Sequence, residues 1–191
     1  MKEPAPRRRG PGSRADERHP TRVQLLDGAV AVADRVGLAD LSVAGVTAEA
    51  GVAKGTFYVH FADRTALLVA LHRRFHDELF ARILDATAGC SPGPARLHAR
   101  LLAFLDGCRE MPGVRGLLRD ARSEPAIDAE VQRRNAQARR VLAEDLRAPD
   151  PTGHEQQTAR LLVAATVEVA TAELDAGRRL PGLRRALLDL V

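Results

Sequence analysis

An all-α protein is the prediction, and three observations make it. From Pro20 onward apolar residues recur at spacings of three and four, and no segment alternates apolar and polar as a strand would. Clusters of glycine and proline interrupt the pattern at intervals that a helix would fill. About nine helices fit, short ones first and longer ones after. With 191 residues, 45% of them hydrophobic and 28% charged, the chain has room for one or two domains around a buried core, and disorder throughout is excluded.

Residues 1–22 carry Lys2, Arg7, Arg8, Arg9, Arg14, Arg18 and Arg22 against Glu3, Asp16 and Glu17, so the whole net charge of +4 lies there and the remainder is neutral. The same stretch holds Pro4, Pro6, Pro11 and Pro20. It has too little apolar surface to offset chain entropy, and residues 1–20 are expected to be a disordered basic arm. Such an arm is either a solvated tail or a segment that binds a polyanion.

The first helix is expected to open on Thr21 and Gln24, spaced as a capping box, and to close at Gly37. Its inward stripe would be Leu26, Ala29, Val30, Ala33 and Val36. A short second helix follows Ser42, a good N-cap, and ends at Gly51. The third runs from about Lys54 to Phe61. Asp63 then caps a long fourth helix striped by Leu68, Leu71, Phe75, Leu79 and Ile83.

Ser91, Pro92, Gly93 and Pro94 break the chain, with Pro92 suited to a first helical turn. The fifth helix, striped by Leu97, Leu101, Phe104, Leu105 and Cys108, lasts until Met111, Pro112 and Gly113. A brief sixth is expected over about Val114 to Arg122. A seventh, from about Ser123 to Arg147, puts Ile127, Val131, Ala138 and Leu142 on one side. After Pro149, Asp150 and Pro151, the eighth covers about Gly153 to Ala176, and the ninth runs from Pro181 to the last residue.

Residues 42–61 read S-V-A-G-V-T-A-E-A-G-V-A-K-G-T-F-Y-V-H-F. Two short helices about a glycine-centred turn are the layout of a helix-turn-helix. On the second of them Phe57 and Phe61 lie about 40° apart and face inward together. Gly55, Thr56 and Val59 fall opposite, with Lys54, Tyr58 and His60 towards the rims. That outer face is small and smooth, which lets a backbone approach a groove closely. Lys54 opposes the helix dipole by ~0.3–1 kcal/mol, a cost that a phosphate contact would offset.

The stretch V-A-K-G-T-F-Y-V-H-F-A-D-R-T-A-L-L, residues 52–68, closely resembles the DNA-binding signature of tetracycline-repressor-type (TetR/AcrR) transcriptional regulators. The resemblance extends from about Thr21 to Ala81, and the later helices suit the family in order and length. It implies a ligand-responsive repressor, not an enzyme, that binds a palindromic double-stranded DNA operator as a homodimer and is released by a small-molecule effector. The implied architecture is an N-terminal three-helix DNA-binding domain over 21–66, running into the fourth helix to about 81, and a helical ligand-binding and dimerisation bundle over 67–191.

Carried over by position, Lys54, Gly55, Thr56, Tyr58 and His60 would face DNA, with Arg64 a phosphate contact, Ser42 the second-helix cap and Arg22 a grip on the backbone. Thr47, where relatives have a small alanine, joins this set. Ala44 stands where many relatives have a basic residue, so base reading falls on the third helix. Residues 23–63 have Arg35 and Lys54 against Asp27, Asp34, Asp40, Glu49 and Asp63, a balance of −3. Phosphate attraction is therefore expected mostly from the arm, Arg22 and Arg64, with the arm adding affinity and little discrimination.

The later helices hold no catalytic constellation, phosphate-binding glycine loop or metal-type Cys/His cluster, and no cofactor is expected. His72 and His76 share a face at i,i+4 without an evident third ligand and read as surface or hinge-facing side chains. Cys90 and Cys108 allow a redox pair, although Cys108 on an apolar stripe reads better as a small hydrophobe. Asn135 and Glu168 interrupt apolar stripes; Glu168 is either rim-exposed or serves a pocket or interface, and with Phe104, Met111, Arg119 and Arg122 they are the pocket candidates. Leu161, Ala165, Val169 and Ala172 of the eighth helix, with Leu183, Leu187 and Leu190 of the ninth, are the expected dimer interface, with packing on the chain's own core the alternative.

No uncharged run exceeds the ten residues from Ala86 to Ala95, so no membrane span is expected. The first residues lack the apolar stretch of a signal peptide, and a cytoplasmic, reducing compartment is expected. Two other readings compete: a nucleic-acid-compacting protein driven by the arm, and a ligand-binding helical protein or small enzyme with a vestigial head.

Overall fold

The computed structural model describes residues 19–111, 118, 125–147 and 153–191. All regular structure among them is helical: α1 Pro20–Val36, α2 Val43–Glu49, α3 Lys54–His60, α4 Arg64–Ala86, α5 Pro94–Glu110, α6 Pro125–Leu146, α7 Glu155–Ala176 and α8 Pro181–Leu188. The helix expected over Val114 to Arg122 lies outside the described residues, Leu118 excepted, as do residues 1–18 of the basic arm. Two compact units divide the chain, one ending at Leu71 and the other beginning at His72. None of the described helices is long and apolar enough to cross a membrane.

In the first unit α1 begins one residue before the expected capping box. Pro20 takes the first helical position, where its preset φ costs nothing, and extended His19 becomes the N-cap, its Nδ1 accepting from the Thr21 N–H at 3.2 Å. Thr21 thus lies inside the helix. Gly37, at φ +80°, closes α1 with its N–H on the Ala33 carbonyl. The buried stripe is Leu25, Leu26, Gly28, Ala29, Val32 and Ala33; Val36, expected inside, is exposed. Gly28 is where α1 meets α2: a Cβ there would stand 3.2 Å from both the Val46 carbonyl oxygen and the Ala50 nitrogen. Leu38, Leu41, Val46, Phe57, Phe61, Leu67 and Leu68 complete the core.

The second unit packs α5, α6 and α7 on one another, with α8 laid on α7 and α5. Leu79, Leu97, Leu101, Leu105, Cys108, Ile127, Leu142 and Leu162 fill the interior. Gly107 brings α5 tight against α4, since a Cβ there would lie 2.5 Å from Leu79 Cδ1. Pro94, not Pro92, starts α5. α8 stops at Leu188, short of the expected terminus.

Three buried carboxylates tie this bundle. Asp145 of α6 accepts from Arg96 Nε at 2.6 Å and lies 2.9 Å from Arg100 Nη1, which also donates to the Val141 carbonyl. Glu173 of α7 receives both prongs of Arg184 at 2.7 Å and the Leu180 N–H, joining α7 to α8; Arg184 reaches on to Asp106 of α5. Glu130 of α6 is gripped by Arg133, Arg134 and Arg73, and Arg134 also pairs with Asp77. Each carboxylate is paired with guanidinium groups, the condition under which burying it is tolerable, although Asp145 Oδ2 has only the ion pair to Arg100 and no hydrogen bond.

Candidate nucleic-acid interface

The interface is built on α2 and α3. Ser42 is extended and its Oγ accepts from the Gly45 N–H at 3.1 Å, fixing the start of α2. Gly51, at φ +64°, turns the chain, and the Val52 N–H closes onto the Thr47 carbonyl at 3.0 Å. Ala53 caps α3 without a side-chain bond, so little local chemistry holds that end. The helix is held instead from below: Phe57 and Phe61 are buried, with ring centroids 5.5 Å apart.

Away from the phenyl rings the surface of α3 is open. Lys54 and Gly55 are exposed, Tyr58 is 51% and Val59 61% exposed, while Thr56 and His60 are half-buried. A Cβ added at Gly55 would meet nothing within 4 Å. The outward ridge is thus Lys54, Gly55, Tyr58 and Val59, with Thr56 at its edge. Val59 is the one member absent from the expected contact set, although the helical spacing had placed it on that side.

The remaining sequence-predicted positions are engaged inside the unit. Thr47 is buried and its hydroxyl donates to the Ala44 carbonyl at 3.1 Å, so it presents nothing outward and leaves the set. Arg64 donates through Nε to the Leu41 carbonyl at 2.7 Å and through Nη2 to the Leu38 and Ala39 carbonyls, bracing the loop before Ser42. Arg22 lies over the Phe61 ring, 4.5 Å from its centroid. The His60 ring stands 4.9 Å from that of His19. Asp63 caps α4 as expected, accepting from the Ala66 N–H at 2.7 Å.

In the second unit Phe104, Met111 and Asn135 are half-buried and Glu168 is exposed, whereas Arg119 and Arg122 lie outside the described residues. Of the expected interface, Leu161 (70%), Leu183 and Leu190 (61%) are exposed, and Ala165 and Ala172 half-buried. Val169 and Leu187 are corrections. Both are buried in this chain's own core, Leu187 at 2% exposure, because α8 folds back onto α7 and α5.

His72 and His76 are also corrections, being buried and not on the surface. Their rings stack with centroids 6.1 Å apart. Desolvation pulls both imidazoles below their ordinary value, His72 to about 4 and His76 to about 3. Cys90 is exposed and Cys108 buried, and neither is in a disulfide. Burial pushes the Cys108 thiol up to about 12, which leaves it unreactive. Among the described residues no three His, Cys, Asp or Glu side chains are grouped to hold a metal ion.

Comparison with known proteins follows the same division of the chain. Residues 25–71 match the model for bacterial regulatory proteins of the tetR family. Over 86 residues the chain is 33% identical to the HTH-type transcriptional regulator BetI of Ectopseudomonas mendocina, covering 45% of this chain and 43% of that one. The chain thus spans less than half the length of the curated relatives it matches. Solved structures agree over far more. The fatty acid degradation regulator FadR of Bacillus halodurans superposes with a TM-score of 0.78 at 18% identity, covering 91% of this chain and 95% of that one. A TetR-like transcriptional regulator from Rhodococcus sp. RHA1 does so with 0.74 at 21%, covering 91% and 94%. Residues 25–71 thus match the tetR-family model in sequence, and the chain as a whole shares the fold of these solved regulators.

Proposed function

We propose that this protein is a ligand-responsive, sequence-specific DNA-binding repressor that occupies a palindromic operator as a homodimer. The observation carrying the reading is Gly55. It sits outward on α3 in open space, beside exposed Lys54, Tyr58 and Val59, while Phe57 and Phe61 hold the helix from beneath. A ridge without a Cβ at its crest lets the α3 backbone approach base edges in a major groove. Lys54 then meets a phosphate, Thr56 and Tyr58 read bases, and His60 stands at the rim. Arg64 and Arg22 shape the head from within, through the loop before Ser42 and through Phe61.

The exposed leucines Leu161 on α7 and Leu183 and Leu190 on α8 support pairing of two chains through those helices. A dimer would set its two ridges about one DNA turn apart, ~34–36 Å. An effector bound in the second unit would favour a dimer with different spacing, shifting the equilibrium only by its differential affinity for the two states. Selection from a randomised duplex library tests the reading. The unaltered protein should enrich one palindromic sequence, and Tyr58→Ala or Gly55→Leu should lose that preference with thermal stability undiminished. Enrichment of the same palindrome by Gly55→Leu would overturn it.

A further inference from the structure

Val59 is the apolar side chain on α3 that the protein's own packing leaves unused. It is 61% exposed, ahead of Val23 at 37%, Val36 at 47% and Tyr58 at 51%, the other exposed large apolar side chains among the described residues of the first unit. Valine suits a helix less well than alanine, because its branched Cβ loses rotamer freedom against the preceding turn. No burial of Val59 in this chain offsets that cost. The helix is anchored by Phe57 and Phe61 instead, both in the core.

Its neighbours define what it can meet. Gly55 lies one turn earlier on the same face, and its missing side chain leaves Val59 as the group that projects there. Branching also leaves valine one strongly preferred rotamer in a helix, so its two methyls are held rigidly. Tyr58 beside it is braced, its ring edge-on to the buried Phe57 ring with centroids 5.3 Å apart. Exposed Lys54 gives the same surface a cation. One valine among a glycine, a lysine and a tyrosine makes too small an apolar patch for a protein partner, which would cover ~800 Å². It does suit a major groove, whose floor presents polar donors and acceptors and, as its apolar feature, the C5 methyl of thymine.

We propose that Val59 is a specificity-determining residue that packs its methyls on the C5 methyl of one thymine in each half-site. The proposal rests on reading α3 as the recognition helix and adds to it a contact of a different kind. Thr56 and Tyr58 sort bases by hydrogen bonds, whereas Val59 marks an A·T pair, and the strand that carries its thymine, by apolar contact alone. Losing such a contact leaves no polar group unpaired, so its effect is modest and confined to one base pair.

The test removes the methyls from each side of the contact in turn, using the full chain. In the palindrome enriched by the unaltered protein, thymines are replaced by deoxyuridine one symmetric pair at a time, which deletes the C5 methyl and keeps the pairing. Affinities of the unaltered protein and of Val59→Ala are read by fluorescence anisotropy. At one thymine pair the replacement should cost the unaltered protein roughly fourfold per half-site, about fifteenfold for a dimer, from the burial of a single methyl. Val59→Ala should bind the thymine and deoxyuridine duplexes equally well at that position and keep the palindrome's other preferences. The proposal is overturned, with the reading of α3 intact, if the unaltered protein is indifferent to every replacement or the enriched half-site lacks an A·T pair. It is overturned likewise if Val59→Ala keeps the same discrimination or binds neither duplex, since one apolar contact accounts for neither result. If the unaltered protein enriches no palindrome, the reading of α3 itself fails and the proposal falls with it.

Discussion

Acid should loosen the second unit well before it reaches the carboxylates. His72 and His76 are buried on α4, and desolvation holds them at about 4 and about 3. For His72 the Glu130 carboxylate opposes that shift; for His76 the His72 ring, Arg134 and Arg133 add to it while Glu130 opposes. An imidazole whose folded value lies below its unfolded 6.5 binds more protons when unfolded. Its contribution is therefore intact above pH 6.5 and is lost as pH falls from there towards the folded value. Between pH 7 and 5 each histidine removes roughly 2 kcal/mol, or about 4 kcal/mol for the pair, a large share of the ~5–15 kcal/mol that stabilises a typical domain. Glu130 adds nothing in that window. Burial would raise its carboxyl, but hydrogen bonds from Arg133, Arg134 and Arg73 outweigh burial and bring it to about 2, so it stays ionised and loses its contribution only below about 4.5. Urea unfolding followed by helical circular dichroism at pH 7, 6 and 5, at fixed ionic strength, should show the midpoint falling steeply. A His72→Leu, His76→Leu variant should show a much smaller fall. Equal midpoints at pH 7 and 5, or His72 and His76 imidazole resonances of the native protein titrating near 6.5, would refute the argument.

The glycines of the head should respond in opposite directions. Gly55→Ala should raise unfolding stability by about 0.5–1 kcal/mol, because alanine suits a helix better and its methyl meets open space. Gly28→Ala should lower it, since backbone atoms of α2 stand 3.2 Å from the new carbon and two packed helices must separate; equal effects by calorimetry would contradict the packing. At the expected interface, Leu161→Arg with Leu190→Arg should yield folded monomers by light scattering. Leu187→Arg should unfold the chain instead, by more than ~3 kcal/mol, because that side chain lies in the protomer's own core. Intact dimers of the double variant would remove α7 and α8 from the interface.

Local rules read the head well because local rules build it. Ser42, Gly51 and Asp63 act through bonds and turns within a few residues, and the phenyl pair on α3 follows from a spacing of four. At the start of α1, Thr21 and Gln24 satisfy a capping pattern that Pro20 pre-empts by taking the first helical position. Positional likeness puts Thr47 and Arg64 on the contact surface, while within the chain Thr47 donates to the Ala44 carbonyl and Arg64 braces a loop more than twenty residues away.

The second unit hides more, since its decisive partners are distant in sequence. Glu168 stood out as the lone charge on an apolar stretch, yet it is exposed, and the buried carboxylate is Glu173 farther along the same helix. What distinguishes them is Arg184, eleven residues beyond Glu173 and across a turn, whose two prongs make burial tolerable. Leu187 looked like an interface residue because its stripe seemed to lack a partner; α5 and α7 provide one. Helical periodicity marks an apolar face without naming what covers it.

The contrast between Gly28 and Gly55 shows how structure can point outward. Both are mid-sequence glycines on helices, and each costs its helix up to ~1 kcal/mol relative to alanine. For Gly28 the chain's own packing explains the cost, because no side chain fits between α1 and α2. For Gly55 nothing inside does: beyond its own helix and chain neighbours, no described atom lies within 4 Å of the missing carbon, and its backbone is not among the positive-φ glycines. A residue whose smallness the chain's own packing does not require, on a helix anchored by two buried rings, is consistent with the close approach proposed for α3. Its neighbours Lys54 and Tyr58 supply a cation and a hydroxyl at the same surface, chemistry that suits the duplex edge proposed for it.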